Sequence, residues 1–86
     1  MGVRPCVIVR SPQFDGSSTT VVLPTTTKPR SRVLHVRCVV QGAVTFALTD
    51  QIRTVDLARL SEPIGRVSPE VLAEIEDALA LLLGIV

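Results

Sequence analysis

The sequence predicts a mainly β protein: a small, strongly bent antiparallel sheet or barrel of about five short strands, with one C-terminal helix packed on it. Three observations carry that expectation. The 86 residues include 14 Val and 8 Thr, β-branched types that favour strands. Short apolar runs recur between connections rich in Pro, Gly and Ser. One segment near the C-terminus has a helix start signal, an apolar stripe and a stop signal in the right order.

Each element follows in turn. Cys6-Val7-Ile8-Val9, bounded by Arg4-Pro5 and Ser11-Pro12, reads as a buried strand. Pro12 to Ser18, with Asp15-Gly16, reads as a connection. Thr19 to Leu23 is the next strand, stopped by Pro24. Thr25-Thr26-Thr27 leads into a basic loop, Lys28-Pro29-Arg30-Ser31. From Arg32 to Val40 the pattern alternates: Val33, His35, Arg37 and Val39 share one face, and the apolar Leu34, Val36, Cys38 and Val40 face the core. Gln41-Gly42 is a two-residue hairpin turn, with Gly42 supplying positive φ. Ala43 to Thr49 returns as a strand, Asp50 to Thr54 is polar, and Asp56 to Leu60 suits one helical turn. Ile64 to Val67 reads as a last short strand. Pro69 to Leu83 is a helix of roughly 22 Å at 1.5 Å per residue. Ser68 caps it, Pro69 takes its first position, Glu70 suits the dipole and Gly84 ends it. Val71, Leu72, Ile75, Leu79, Leu82 and Leu83 form its core-facing or dimer-facing stripe.

Size and composition exclude whole classes of function. At 9.2 kDa, residues 1–86 are expected to form a single domain, too small for a two-lobed enzyme cleft. Hydrophobic residues at 47% and charged residues at 20% argue against disorder. The longest apolar stretch, Ala78 to Val86, is far short of the roughly 20 residues of a membrane span, and no leader pattern is seen, so a cytoplasmic chain is expected. Such a chain would keep Cys6 and Cys38 as small buried hydrophobes rather than a disulfide. A core this small is marginal alone, and a dimer would relieve it. The net charge of +1 hides an asymmetry: residues 1–49 carry a net +5 and residues 50–86 a net −4. A basic half suits a polyanion, unless the two halves neutralise one another in the fold.

The side chains available narrow the chemistry further. One His, two Cys and scattered glycines give no nucleophile triad, zinc site or phosphate-binding loop, so no metal or other cofactor is expected. An enzyme built from the remaining Arg, Thr, Ser, Gln and Asp would best stabilise charge developing on phosphate, with the substrate bringing its own nucleophile. RNA does so, through the 2′-hydroxyl beside each phosphodiester.

Four segments, in order and over nearly all of the chain, resemble the MazF/PemK toxins. Arg4-Pro5-Cys6-Val7-Ile8-Val9 is similar to that family's "RPxVVV" strand. Leu23-Pro24-Thr25-Thr26-Thr27 is similar to its "PxTT" strand end. Asp50-Gln51-Ile52-Arg53-Thr54-Val55-Asp56 matches "DQIRTVD" almost letter for letter, and Ile64 to Leu72 resembles "IGRLSPEVL".

The resemblance implies an SH3-like (CcdB/PemK/MazF) barrel, a homodimer, and the toxin half of a type II toxin–antitoxin pair. It implies metal-independent cleavage of single-stranded RNA at short sequences, leaving 2′,3′-cyclic phosphate and 5′-hydroxyl ends. Arg4 matches the family's catalytic arginine, which stabilises the phosphorane and can supply a proton. Thr26 matches its catalytic threonine, with Thr25 and Thr27 as alternatives of register. Gln51 matches a position near bound RNA, Asp50 is its neighbour, and Ser11 falls where the family places a polar residue. Lys28, Arg30 and Arg53 are further candidate RNA contacts. The resemblance also implies a cognate antitoxin as partner and no membrane.

Plainer readings stay open at several positions: Thr25 to Thr27 as an ordinary strand end, the basic loop as a solvated surface, Gln51 and Arg53 as loop supports, and His35 with no specific role. Members of the family usually carry another strand and a long loop before the "RP" strand. Here Arg4 is only the fourth residue, so two explanations are open: a start that lies inside a longer reading frame, or a shortened member. Two other functions compete: an antitoxin-binding remnant that does not cut, and a gyrase poison like CcdB. The second is disfavoured because the chain has no Trp for that family's Trp-Gly-Ile ending.

Overall fold

A computed structural model describes residues 5–10, 12–14 and 16–85. Five antiparallel strands and a C-terminal helix make up the fold: β1 (Cys6–Ile8), β2 (Thr19–Thr26), β3 (His35–Val40), β4 (Ala43–Leu48), β5 (Arg53–Asp56) and α1 (Pro69–Leu83). Single 3-10 turns occupy Pro12–Phe14, Thr49–Gln51 and Leu57–Arg59.

β2 organises the sheet. Val22 to Pro24 pair with β1, Thr19 to Val22 pair with β5, and Thr25 and Thr26 pair with β4. One strand therefore belongs to two sheets and must bend between them. Its burial pattern marks the bend. Thr20 and Val22 are buried on one phase of the alternation, Leu23 and Thr25 on the other, and the switch falls between Val22 and Leu23. β3 and β4 form the regular hairpin, from His35 opposite Leu48 to Val40 opposite Ala43. Gln41 and Gly42 both have positive φ, 50° and 82°, as a type I′ turn requires. The outward residues of this hairpin include Val39 and Val44, directly opposite one another and both exposed.

The core lies where the helix crosses the bend. Val7, Leu23, Val36, Ala47, Ile75 and Ala78 form one buried cluster, with Val9, Val67, Val71 and Leu79 packed around it. Each strand from β1 to β4 gives one residue and α1 gives two, so the helix closes the barrel as a lid. The helix runs over the expected residues. The Ser68 hydroxyl accepts from the Val71 N–H at 3.1 Å, Pro69 opens the first turn, and Gly84 ends it at φ 71°. Only part of the expected stripe is inside: Ile75 is buried, beside Ala78, which is not in the stripe, whereas Leu72, Leu82 and Leu83 are exposed.

Three expected boundaries move. β2 does not stop at Pro24 but continues to Thr26. Pro24 falls after the last residue paired with β5 and before the first paired with β4, so its missing N–H leaves no ladder bond unmade on that side. β3 begins at His35, because residues 32–34 form a turn. The fifth strand is Arg53–Asp56, which begins in the segment read as polar and runs past it, and Ile64–Val67 is irregular. Ile64 is exposed and Gly65 has φ 150°, whereas β5 is held by its ladder to β2 rather than by apolar burial. Cys6 and Cys38 are free thiols, as the disulfide-free reading requires. Burial raises both thiol pKa values, and for Cys38 a backbone hydrogen bond from Ala47 works the other way. No helix among the described residues is long and apolar enough to cross a membrane.

Candidate nucleic-acid interface

Thr25, Thr26, Thr27, Lys28 and Arg30 lie at and just beyond the end of β2. Thr25 is buried, and its hydroxyl donates to the Pro5 carbonyl at 2.7 Å. That bond extends the β1–β2 register by one pair beyond Cys6 opposite Pro24. Thr25 is therefore a tie between strands. Thr26 is half-buried and behaves differently. Its hydroxyl oxygen accepts from the Lys28 N–H at 3.1 Å, and its carbonyl accepts from the Thr45 hydroxyl at 3.0 Å. A hydroxyl has one donor and two acceptor positions, so the Thr26 O–H is left to donate to an incoming oxygen. Thr27, Lys28 and Arg30 follow on the surface, all exposed.

The basic loop is folded against β3 by a histidine that carries no motif. His35 Nδ1 accepts from the backbone N–H groups of Arg30, at 2.9 Å, and Ser31, at 3.2 Å. Its other ring nitrogen, Nε2, lies 3.0 Å from Asp50 Oδ1. Two N–H groups pointing at Nδ1 leave no room for a proton there, so Nε2 carries the hydrogen and donates to Asp50. The imidazole side chain is only 7% exposed. Ser31 adds a turn, its hydroxyl oxygen accepting from Val33 and Leu34. The Leu34 carbonyl in turn receives both the Thr49 hydroxyl and the Thr49 N–H.

These bonds bring the basic loop and the turn Thr49–Gln51 together. Asp50 is thereby engaged with His35, while Gln51 stands exposed beside it. Arg53 begins β5 opposite Val22 and is also exposed, on the side of β2 away from β1. Lys28, Arg30, Arg32 and Arg53 make no ion pair among the described residues, so their charge is available to a polyanion. Arg4 and Ser11 lie outside the described residues. His35 was invisible to sequence reasoning, since one histidine in an alternating strand looks like any outward polar residue.

An open groove of about 510 Å³ lies beside the loop, between β3 and α1. Arg32, His35 and Arg37 line its strand side, and Glu74 and Asp77 its helix side. Its walls carry opposite charge and Thr26 is not among its lining, so the end of β2 fits an anionic strand better. No group of three or more His, Cys, Asp or Glu side chains able to hold a metal occurs among the described residues.

Comparison with known proteins agrees with this architecture. Residues 1–83 match the family described as PemK-like, MazF-like toxin of type II toxin–antitoxin system. A candidate toxin of Mycobacterium tuberculosis, Rv3098A, is 31% identical over 83 residues, covering 95% of this chain and 78% of that protein. Among solved structures, an endoribonuclease in complex with its cognate antitoxin, from a mycobacterial species, superposes with a TM-score of 0.87 at 25% identity. That alignment covers 99% of this chain and 84% of the other. The MazE–MazF complex of Deinococcus radiodurans gives a TM-score of 0.81 at 25% identity, covering 94% of this chain and 82% of that one.

Proposed function

The chain belongs to the PemK-like, MazF-like toxins of type II toxin–antitoxin systems, and on that premise we propose that it cleaves single-stranded RNA. The reaction needs no metal. The RNA 2′-hydroxyl gives its proton to solvent water and attacks the adjacent phosphorus, the bond to the 5′ oxygen breaks, and that oxygen takes up a proton. The products are a 2′,3′-cyclic phosphate and a 5′-hydroxyl. Arg4 neutralises the charge of the pentacoordinate phosphorane and supplies the proton, and the Thr26 hydroxyl holds a non-bridging oxygen. Thr27, Lys28, Arg30, Gln51 and Arg53 grip the flanking strand.

One observation carries this reading: the Thr25 hydroxyl ties Pro5, the residue after Arg4 in sequence, to the end of β2 that presents Thr26. On this reading the Arg4 guanidinium and the Thr26 hydroxyl act on one phosphate. The test is purified protein with mixed-sequence single-stranded RNA in EDTA, followed by mapping of the ends. Cleavage with cyclic-phosphate ends, abolished by Arg4→Ala and by Thr26→Val, supports the assignment. Intact RNA at every protein concentration refutes it.

The partners follow from the same premise. A cognate antitoxin blocks the anion-binding site, and the toxin pairs with a second copy of itself. Leu81 and Leu83 on α1 and Ile85 just past its end, exposed at 56%, 59% and 73%, supply apolar surface that a partner covers. Sedimentation across a concentration series checks the self-association.

A further inference from the structure

We propose that His35 is a positioning residue for RNA binding: a two-ended neutral clamp that fixes the basic loop against the turn bearing Gln51. The inference rests on the RNA-cleavage reading and adds to it a residue that contacts no RNA itself.

The clamp is built from three hydrogen bonds on one ring. At one end Nδ1 accepts from the Arg30 and Ser31 N–H groups, and at the other Nε2–H donates to Asp50. The ring is nearly inaccessible, with its side chain 7% exposed, so it is not itself a nucleic-acid contact. What it holds is exposed: Lys28 and Arg30 on the loop, Gln51 on the turn. The loop has a second attachment near its start, the Lys28 N–H on Thr26. The clamp and that bond bracket residues 28–31, so the two cations stay in register with the Thr26 hydroxyl. A loop of this length held at neither end samples many conformations, and ordering it on RNA binding costs affinity. The neutral ring matters as well. A lysine or arginine in its place brings no acceptor for the two N–H groups and pairs with Asp50 at only one end.

Two substitutions separate the ends of the clamp. In His35→Asn the amide oxygen stands near the place of Nδ1, keeping the acceptor for the loop and losing the reach to Asp50. In His35→Gln the amide nitrogen stands near the place of Nε2, keeping the donor to Asp50 and losing the loop acceptor. The readouts are kcat and KM on a fluorogenic mixed-sequence single-stranded RNA, and the salt dependence of binding to its 2′-O-methyl analogue, which has no nucleophile. His35→Gln is expected to raise KM by about tenfold with kcat within about threefold. Each lost phosphate contact lowers the salt slope by about 0.7, so release of Lys28 and Arg30 lowers it by roughly 1 to 1.4. His35→Asn is expected to retain most of the affinity and the full slope.

Wild-type KM and slope in both variants overturn the clamp. So does an equal loss in both that follows their melting temperatures, since that is destabilisation alone. A wild-type protein that neither binds nor cuts RNA sinks the RNA-cleavage reading and the clamp with it. Cleavage by the wild type with unaltered variants sinks only the clamp.

Discussion

Replacing Thr25 by valine tests whether the strand tie governs catalysis. The substitution keeps the branched shape at a position 6% exposed and deletes a single hydroxyl. The hydrogen bond lost is the 2.7 Å contact to the Pro5 carbonyl. Such a bond contributes about 1 kcal/mol net. The abandoned acceptor belongs to an exposed residue, so water can replace the hydroxyl, and the larger penalty of an orphaned buried carbonyl does not apply. Stability should fall by about 1 kcal/mol, or about 4–8 °C in melting temperature for a domain of this size. Catalysis should fall further than stability. Pro5 lies in sequence between Arg4 and Cys6, the first paired residue of β1, and the substitution removes the bond that holds Pro5 to β2. A loss of about tenfold in kcat, equivalent to about 1.4 kcal/mol of transition-state stabilisation, is expected with KM nearly unchanged, because the basic loop is untouched. Thr25→Ser restores the hydroxyl and should restore the rate. Urea denaturation and initial rates on RNA in EDTA measure both effects. A Thr25→Val protein as stable and as fast as the parent refutes the argument. So does a slow protein that Thr25→Ser fails to rescue.

Other perturbations act elsewhere in the fold. The Thr20 hydroxyl is buried with no hydrogen-bond partner among the described residues, so Thr20→Val should leave stability unchanged or raise it by up to about 1 kcal/mol in urea melts. Ile75 is fully buried at the centre of the core cluster, and Ile75→Ala should cost about 2–5 kcal/mol by the same measurement, enough to populate unfolded protein at 37 °C. Burial lifts the Cys6 and Cys38 thiols above their ordinary value of 9.0, so the fold favours their neutral form. That contribution is complete below about pH 9 and is lost as pH rises through the higher folded-state values. Stability should therefore decline on the alkaline side, and a Cys6→Ala, Cys38→Ala protein should show a shallower decline in denaturation curves taken from pH 8 upward.

What could be read from the chain divides along the range of the interactions. The helix is set by residues within a turn of one another: Ser68 caps Val71, Pro69 opens the helix and Gly84 closes it. The hairpin turn at Gln41-Gly42 is equally local. β5 escaped because nothing in Arg53-Thr54-Val55-Asp56 alternates between apolar and polar. It is a strand only because β2 offers Thr19 to Val22 as a template. Ile64 to Val67 shows the converse, a strand-like composition with no ladder formed. The site divides in the same way. Thr26 and the basic loop were visible as a run of residue types. The separate roles of Thr25 and Thr26 depend on which face of a bent strand each occupies, and the phase switch at Val22-Leu23 is what assigns them. His35 depends on three partners that are four, five and fifteen residues distant along the chain.

The division of labour around β2 has a physical logic. Apart from the Asp50 carboxylate, the bonds that shape the end of this strand come from uncharged groups: the hydroxyls of Thr25, Thr26 and Thr45, the neutral ring of His35, and backbone amides. The cations nearby are held by none of these side-chain contacts and keep their charge for a ligand. A frame of salt bridges would have consumed the same Lys28, Arg30 and Arg53 that a polyanion needs, and would have loosened in the same salt that weakens polyanion binding. Here the two responses are uncoupled. Salt acts on the ligand through counterion release, while the bonds at Thr26 join uncharged hydroxyl and backbone groups. The acid needed to hold the frame, Asp50, bonds to a neutral ring rather than to a cation of the loop, so it orients His35 without neutralising the surface beside it. A site for an anionic strand can thus be rigid and unneutralised at once, with the rigidity supplied by threonines that a reading of charge alone passes over.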